Sequence, residues 1–360
     1  MKNLIIPMGG KSSRFPGTRP KWMLTHPVSG SFMCIEAIKG INLEFFERII
    51  FVILKEHDDE YKASICIKKA LEELENYESI RERFEIVILD EPTKSQSETV
   101  YKVIHKFGVS GFIYIKDSDG YFNMEVLSED NQVVYLDLNN TDSEINARSK
   151  SYIEIDSNNI ITNIVEKKVI SSKFCVGGYG FNSANEFCTN YEKVKNIPGE
   201  CYISNVVFQM LLGDVKFLGH EASEFIDWGT IESWNEYKSK IYTLFVDLDG
   251  TLITNTSHLC PPFIGEGLPL QDNIDTIKKI KKQRGSVVII TTSRPEKYRD
   301  VTTEELKKYN IPFDFLIMGL PHSQRILIND FALTNPYPSC SAINIRRNSE
   351  DLKNYINILK

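Results

Sequence analysis

The chain has 360 residues, 42% apolar and 25% charged, with a net charge of −7. This is the make-up of a globular protein with a sizeable core, and the length favours two domains over one. The acidic balance argues against a nucleic-acid partner, which usually meets a basic surplus. No run of about 18 apolar residues occurs, so no membrane insertion is expected. The opening "MKNLIIPMGG" has too short an apolar run for a secretory signal. Seven dispersed cysteines fit reduced thiols in a cytoplasm rather than a disulfide framework or a zinc site.

In chain order, "NLIIPM" (3–8), "RIIFVIL" (48–54), "FEIVILD" (84–90) and "GFIYIK" (111–116) read as buried strands rich in Ile, Val and Phe. Residues 58–77 and 97–107 have helical length and spacing. That alternation predicts an α/β fold with a parallel or mixed sheet covered by helices. Strands then crowd together in "VVYLDL" (133–138), "SYIEID" (151–156), "IITNIVEK" (160–167) and "KFCVGGYGF" (173–181), before helix-like 202–213 and 231–240. "YTLFVDLDG" (242–250) opens a fresh strand, and helical 272–283 and 302–309 alternate with "SVVIITTS" (286–293) and "RILIND" (325–330). We therefore expect one domain over 1–240 and a second over 241–360. The basic run "KKIKKQR" (278–284) reads as the solvated C-terminal end of a helix, stopped by Gly285.

The chemistry begins in "MGGKSSRFPGTRPK" (8–21), which leaves the first strand through Gly9-Gly10 and carries Ser12, Ser13, Arg14, Arg19 and Lys21. Glycines let a backbone approach phosphate oxygens closely, and Arg14 and Lys21 supply charge. No Gly-Lys-Ser/Thr closes the loop, so it is not a Walker motif. "IYIKDSDGYF" (113–122) places Asp117 and Asp119 directly after a buried strand, where open α/β sheets bind ligands. "FIDWGT" (225–230) places Asp227 at another strand end. Two carboxylates from distant segments suit one Mg²⁺ shared with triphosphate oxygens.

Taken together, these residues resemble the sugar-1-phosphate nucleotidyltransferases over residues 1 to about 240. That family opens with a strand, a Gly-rich loop ending in Arg, and a later Pro-Lys, here Gly10, Arg14 and Pro20-Lys21. Its metal-binding Asp matches Asp119, its Glu-Lys matches Glu166-Lys167 ahead of "GGYGF" (177–181), and its Asp-x-Gly-Thr matches Asp227 to Thr230. "GECYISNVV" (199–207) is similar to the family's Gly-Glu-x-Tyr helix start. Ser12 stands where the family has a second loop glycine, and "EKKV" replaces Glu-Lys-Pro. "TKSQSET" (93–99), where the base is normally read, has no glycine, which leaves the nucleobase open.

The resemblance implies a Rossmann-like, glycosyltransferase-A type of fold with a mixed sheet, an NTP and a sugar phosphate as substrates, and Mg²⁺ as cofactor. It implies that Arg14 and Lys21 hold the triphosphate, with Gly9, Gly10, Ser12 and Ser13 around it. Asp119 and Asp227 would bind Mg²⁺, Lys167 would grip the sugar phosphate, Glu166 would orient the sugar, and Gly178 would lie at the substrate. The biological setting it implies is capsule or surface-polysaccharide assembly. Two alternatives stay open. "DSD" (117–119) also matches the Asp-x-Asp of glycosyltransferases, although these lack the Arg14/Pro20-Lys21 loop. A nucleotide- or phosphosugar-binding protein without turnover is the non-enzymatic alternative.

"LFVDLDGT" (244–251) is similar to the first motif of the haloacid dehalogenase superfamily, and residues 241–360 resemble a small, capless Rossmannoid member. The resemblance implies Asp247 as the nucleophile that forms an aspartyl-phosphate and Asp249 as the acid that protonates the leaving group. Thr292, or else Thr291, would contact the phosphoryl group. Mg²⁺ would be held by Asp247, Asp249 and, from "ILIND" (326–330), Asp330. The third motif calls for a Lys or Arg. "MGLPHSQRILIND" (318–330) has no lysine, and Arg325 is its cation nearest that motif. An active phosphatase and an inactive phosphate-binding domain both remain open.

Overall fold

The Ile- and Val-rich runs form a sheet whose inner strands are covered on both faces. The computed structural model describes residues 1–12, 14–124, 128–140, 149–283, 285–330 and 339–356. Its first elements are β1 (Lys2–Pro7), α1 (Met33–Ile38), β2 (Arg48–Leu54), α2 (Lys55–Tyr61), α3 (Ala63–Leu71), α4 (Tyr77–Ile80), β3 (Phe84–Leu89), α5 (Gln96–Phe107) and β4 (Phe112–Lys116). β4, β1, β2 and β3 pair in parallel in that order. Leu4 and Ile6 enter one core with Phe51 and Tyr114, while Ile5 enters the other with Ile50 and Val52. Burial on both faces is why these strands read as continuous apolar runs rather than alternating ones.

The helix expected over 58–77 is broken, because Lys62 takes a left-handed φ of 53° between α2 and α3. α5 keeps close to its expected span. The Ser95 hydroxyl accepts the Glu98 N–H at its start, and Gly108 ends it at φ 63°.

The next elements are β5 (Gly120–Phe122), β6 (Gln132–Asp137), β7 (Ser151–Ile155), β8 (Ile161–Glu166), β9 (Lys173–Phe181), α6 (Ala184–Val194), α7 (Ile203–Leu211), β10 (Leu218–Glu221), β11 (Phe225–Asp227) and α8 (Ile231–Ser239). β9 runs antiparallel to β4 and to β6, so the sheet is mixed, in the order β10-β6-β9-β4-β1-β2-β3. The β7–β8 hairpin joins through β7 to β9. β5 and β11 form a separate antiparallel pair that lays Asp227 opposite Gly120.

The chain divides into two compact units, Met1–Trp234 and Asn235–Lys360. The second contains β12 (Thr243–Asp247), α9 (Gln271–Lys281), β13 (Val287–Thr291), α10 (Arg299–Lys308) and β14 (Phe315–Ile317). Its strands are parallel in the order β12-β13-β14. Val246, Val288 and Ile290 pack with Ile274, Ile277 and Leu306. The strand expected at "RILIND" does not form, and Ile328 is 93% exposed. Its composition suits a strand, but a strand also needs a ladder partner and a covered face, and this segment has neither among the described residues. Arg284 of the basic run lies outside those residues. Among them no helix is long and apolar enough to cross a membrane.

Candidate active site

The loop after β1 is tied down on both sides. The Gly9 carbonyl accepts from the Thr93 N–H (3.1 Å) and from its hydroxyl (3.2 Å). A Cβ at Gly9 would lie 3.1 Å from Thr99 Oγ1, so the glycine seats the loop against "TKSQSET", whereas Gly10 faces open space. Ser12 holds a φ of 50°, a conformation that favours glycine and explains why the resembled family uses one there. The Ser12 hydroxyl accepts the Lys21 N–H at 3.1 Å, and its carbonyl accepts the Phe15 N–H at 2.8 Å. Trp22 is buried beside Lys21, and Arg14 is exposed. Ser13 lies outside the described residues.

Asp119 and Asp227 come together through the β5–β11 pair, where the Trp228 N–H donates to the Asp119 carbonyl at 2.9 Å. A Cβ at Gly229 would lie 3.1 Å from Asp227 Oδ1 and 3.4 Å from Asp119 Oδ2, so both carboxylates converge on this glycine. Each already faces a lysine. Lys21 Nζ pairs with Asp119, and Lys150 Nζ lies 2.6 Å from Asp227 Oδ2. Burial opposes ionisation of Asp119, but Lys21, Arg14 and Lys150 outweigh it and hold the carboxyl at about 2. Two hard carboxylate donors in this largely covered site fit a divalent cation such as Mg²⁺. No group of three His, Cys, Asp or Glu side chains able to hold a metal forms among the described residues. Asp119 and Asp227 alone would offer such a cation two side-chain ligands.

Asp117 turns the other way. Gln96 donates to it, and a Cβ at Gly177 would collide with its carboxylate. Burial and the neighbouring Asp119 push its carboxyl up. Beneath the loop, buried Lys116 donates to the carbonyls of Asp117 (2.8 Å) and Gly120 (2.7 Å). Burial lowers this ammonium to about 8, against the pull of both aspartates.

Glu166 ends β8 and accepts from the Ser151 and Ser204 hydroxyls. Lys167 takes a φ of 54°, and its N–H donates to the Lys150 carbonyl at 3.1 Å. Its ammonium donates to the Tyr202 hydroxyl and lies 4.3 Å from that ring, and the hydroxyl raises it above the ordinary lysine range. Gly178, expected at the substrate, turns the side of its missing side chain inward. A Cβ there would meet Phe122, the Tyr114 hydroxyl and Val134 within 2.8 Å, so this glycine faces the core. Side chains alternate along β9, and it is Gly177 that borders the acidic loop. Lys150, Gln96 and Tyr202 are site residues that sequence reasoning missed. Tyr202 carried a signal in the helix start "GECYISNVV" and Gln96 lay within the quoted "TKSQSET", whereas Lys150 belonged to no motif.

In the second unit, Asp247 ends β12 with Arg325 Nη2 3.2 Å from its Oδ1. Burial raises the Asp247 carboxyl, and Arg325 pulls against it. Asp249 is fully engaged. Arg294 reaches it through Nε (2.9 Å) and Nη2 (2.8 Å), Thr256 donates at 2.7 Å and Thr292 at 3.1 Å. Arg294 also donates to Glu305 at 2.7 Å, and both side chains are buried. Thr292 is thus spent on Asp249, while Thr291 leans on the Val246 carbonyl. Asp330 is exposed on the segment that forms no strand, so Asp247, Asp249 and Asp330 do not gather as the expected metal set. Arg294 stands in "TTSRP", beside the residues singled out, and its role was missed because arginine has no part in the resembled motif.

No family model matches the chain, and no curated protein matches it. Solved structures do. A nucleoside-diphosphate-sugar pyrophosphorylase from Vibrio cholerae RC9 superposes with a TM-score of 0.53 at 21% identity, over 65% of this chain and 98% of that one. A putative glucose-1-phosphate thymidylyltransferase from Bacillus anthracis, in complex with a sucrose, gives 0.51 at 19% identity, over 66% and 93%. Over about two thirds of its length, this chain therefore shares its fold with these nucleotide-sugar enzymes.

Proposed function

We propose that the first unit transfers a nucleotidyl group from an NTP to a sugar 1-phosphate, with Mg²⁺, giving a nucleotide-activated sugar and pyrophosphate. The observation that carries this reading is the convergence of Asp119 and Asp227 on Gly229, beside Lys21 and one backbone hydrogen bond from Lys167. Asp119 and Asp227 would hold the Mg²⁺, which when bound neutralises and orients the triphosphate. Lys21 and Arg14 bind phosphate oxygens, and the Gly9–Gly10 backbone lies close enough to the 93–99 segment for that segment to contact the base. Lys167, steadied on Tyr202, takes the sugar phosphate, and Glu166 takes sugar hydroxyls.

An oxygen of the sugar phosphate attacks the α-phosphorus in line. A new P–O bond forms as the bond to the bridging oxygen breaks, and pyrophosphate carries away the electron pair. The nucleophile is already an anion, so no general base is required; positioning and charge neutralisation lower the barrier. Supply of activated sugars for surface polysaccharide, in a cytoplasm that holds NTPs, is the setting this reading carries with it. The glycosyltransferase alternative leaves the Lys21–Asp119 pair and the Gly9–Gly10 loop without a task. To test the metal pair, Mg²⁺-dependent pyrophosphate release is measured in Asp227→Ala. We expect it to be lost, and full activity would remove Asp227 from the metal site.

For the second unit we propose phosphate-ester binding at Asp247 and Arg325 without rapid turnover. The engaged state of Asp249, the acid that hydrolysis would need, favours this over an active phosphatase. Phosphate released from sugar phosphates should match that of Asp247→Asn. A clear excess in the unmodified chain would restore the phosphatase reading.

A further inference from the structure

Lys150 belongs to no motif, yet it stands in the middle of the first unit's polar site. Its side chain is 16% exposed, its Nζ lies 2.6 Å from Asp227 Oδ2, and the Phe225 ring lies 5.0 Å from that ammonium. Its carbonyl accepts the Lys167 N–H, and the next residue, Ser151, pairs in register with Glu166. Lys21 makes the same kind of pair with Asp119. The two carboxylates that would hold a divalent cation are thus each covered by one ammonium. A cation bound by both would sit against two positive charges a few ångströms away, so the lysines must leave. In a site this enclosed an ammonium without an anion is costly, and the phosphate oxygens of the incoming triphosphate supply the replacement.

We propose that Lys150 is a phosphate-binding residue, held on Asp227 in place of the metal and passed to a phosphate oxygen when cation and triphosphate enter together. This rests on the reading of Asp119 and Asp227 as the metal pair. It makes metal and triphosphate mutually dependent, since each provides what the other displaces. Removing Lys150 takes away one displaced charge. Metal alone should then bind more tightly, and the metal–triphosphate complex more weakly.

The probes are Mn²⁺ alone and Mn²⁺–tripolyphosphate, titrated calorimetrically into the full chain. For Lys150→Met we expect Mn²⁺ alone to bind about tenfold more tightly and Mn²⁺–tripolyphosphate about tenfold more weakly, with Lys150→Arg restoring both. Lys150→Gln is read the same way if the Met variant melts early. Asp227→Asn should lose Mn²⁺ in either form. If Asp227→Asn loses Mn²⁺ but Lys150→Met changes neither affinity, or weakens Mn²⁺ alone, the Lys150 exchange is overturned and the metal pair stands. If Asp227→Asn binds Mn²⁺ as the unmodified chain does, the metal pair fails and the exchange falls with it.

Discussion

The chain carries Asp-x-Asp-Gly twice, at 117–120 and 247–250, each time where a parallel strand ends. The two copies are used in opposite ways. In the first, the leading Asp117 turns inward to Gln96, and the trailing Asp119 faces Lys21 and Gly229. In the second, the leading Asp247 meets Arg325, and the trailing Asp249 is gripped by Arg294. The glycine explains part of the difference. Gly120 runs straight into β5, whereas Gly250 turns back at φ 88° so that its N–H reaches the Ile253 carbonyl at 2.7 Å. The partner explains the rest. A lysine on a flexible stem can leave a carboxylate for a phosphate, but a forked arginine backed by buried Glu305 is fixed in place. The motif sets where the carboxylates stand, and the counter-charge decides which one is available.

The largest effect should separate the two members of the first pair. Asp119→Asn should lower pyrophosphate release about 1000-fold, while Asp117→Asn should stay within about tenfold. Equal losses would erase the distinction between inward and outward aspartates. In the second unit, Arg294→Met leaves Glu305 and Asp249 without their cation. The unit should lose about 3 kcal/mol of stability, read as an early melting transition in the full chain; an unchanged melt would show that Asp249 is not clamped. Lys167→Ala should raise the KM for sugar 1-phosphate about tenfold with a smaller change in kcat. A fall confined to kcat would move Lys167 from binding to the chemical step.

The smallest effect comes from an ion pair that serves only the fold. Asp137 and Lys173 face each other across β6 and β9 at 2.8 Å. Burial works against the Asp137 carboxylate, but Lys173, Ser172 and the Asn139 N–H hold it at about 2. A depressed carboxyl stabilises the fold above its ordinary value of about 4 and loses that contribution as pH falls toward about 2. Asp137→Asn should therefore cost about 1 kcal/mol near neutrality, with the gap closing below about pH 2. A gap that persists in strong acid would point to packing rather than charge.

The strands β1, β2 and β4 were legible because burial on both faces leaves an apolar run, and β3, at the sheet's edge, because Ile, Val and Leu still dominate it. Asp119, Asp227, Asp247 and Asp249 were legible because each follows such a run or closes it. Lys150 was not, since its place depends on the β7–β8 register and on β11, segments about 75 residues apart in sequence. Arg294 was passed over although it lies two residues after Thr292, because arginine has no part in the resembled motif and its partner Asp249 stands 45 residues away. "RILIND" misled for the opposite reason. Its composition suits a strand, but no composition reports whether a neighbouring edge is there to receive it. The break at Lys62 was silent, since no glycine or proline marks that left-handed residue.

The central claim is that the first unit joins a nucleotide to a sugar phosphate. The most direct test is pyrophosphate release by the full chain, with Mg²⁺, across four NTPs and a panel of sugar 1-phosphates. At least one pairing should release pyrophosphate and form a nucleotide sugar in equal amounts. No release in any pairing, with consumption of a ready-made nucleotide sugar instead, would contradict it and leave Asp119 serving a glycosyltransferase.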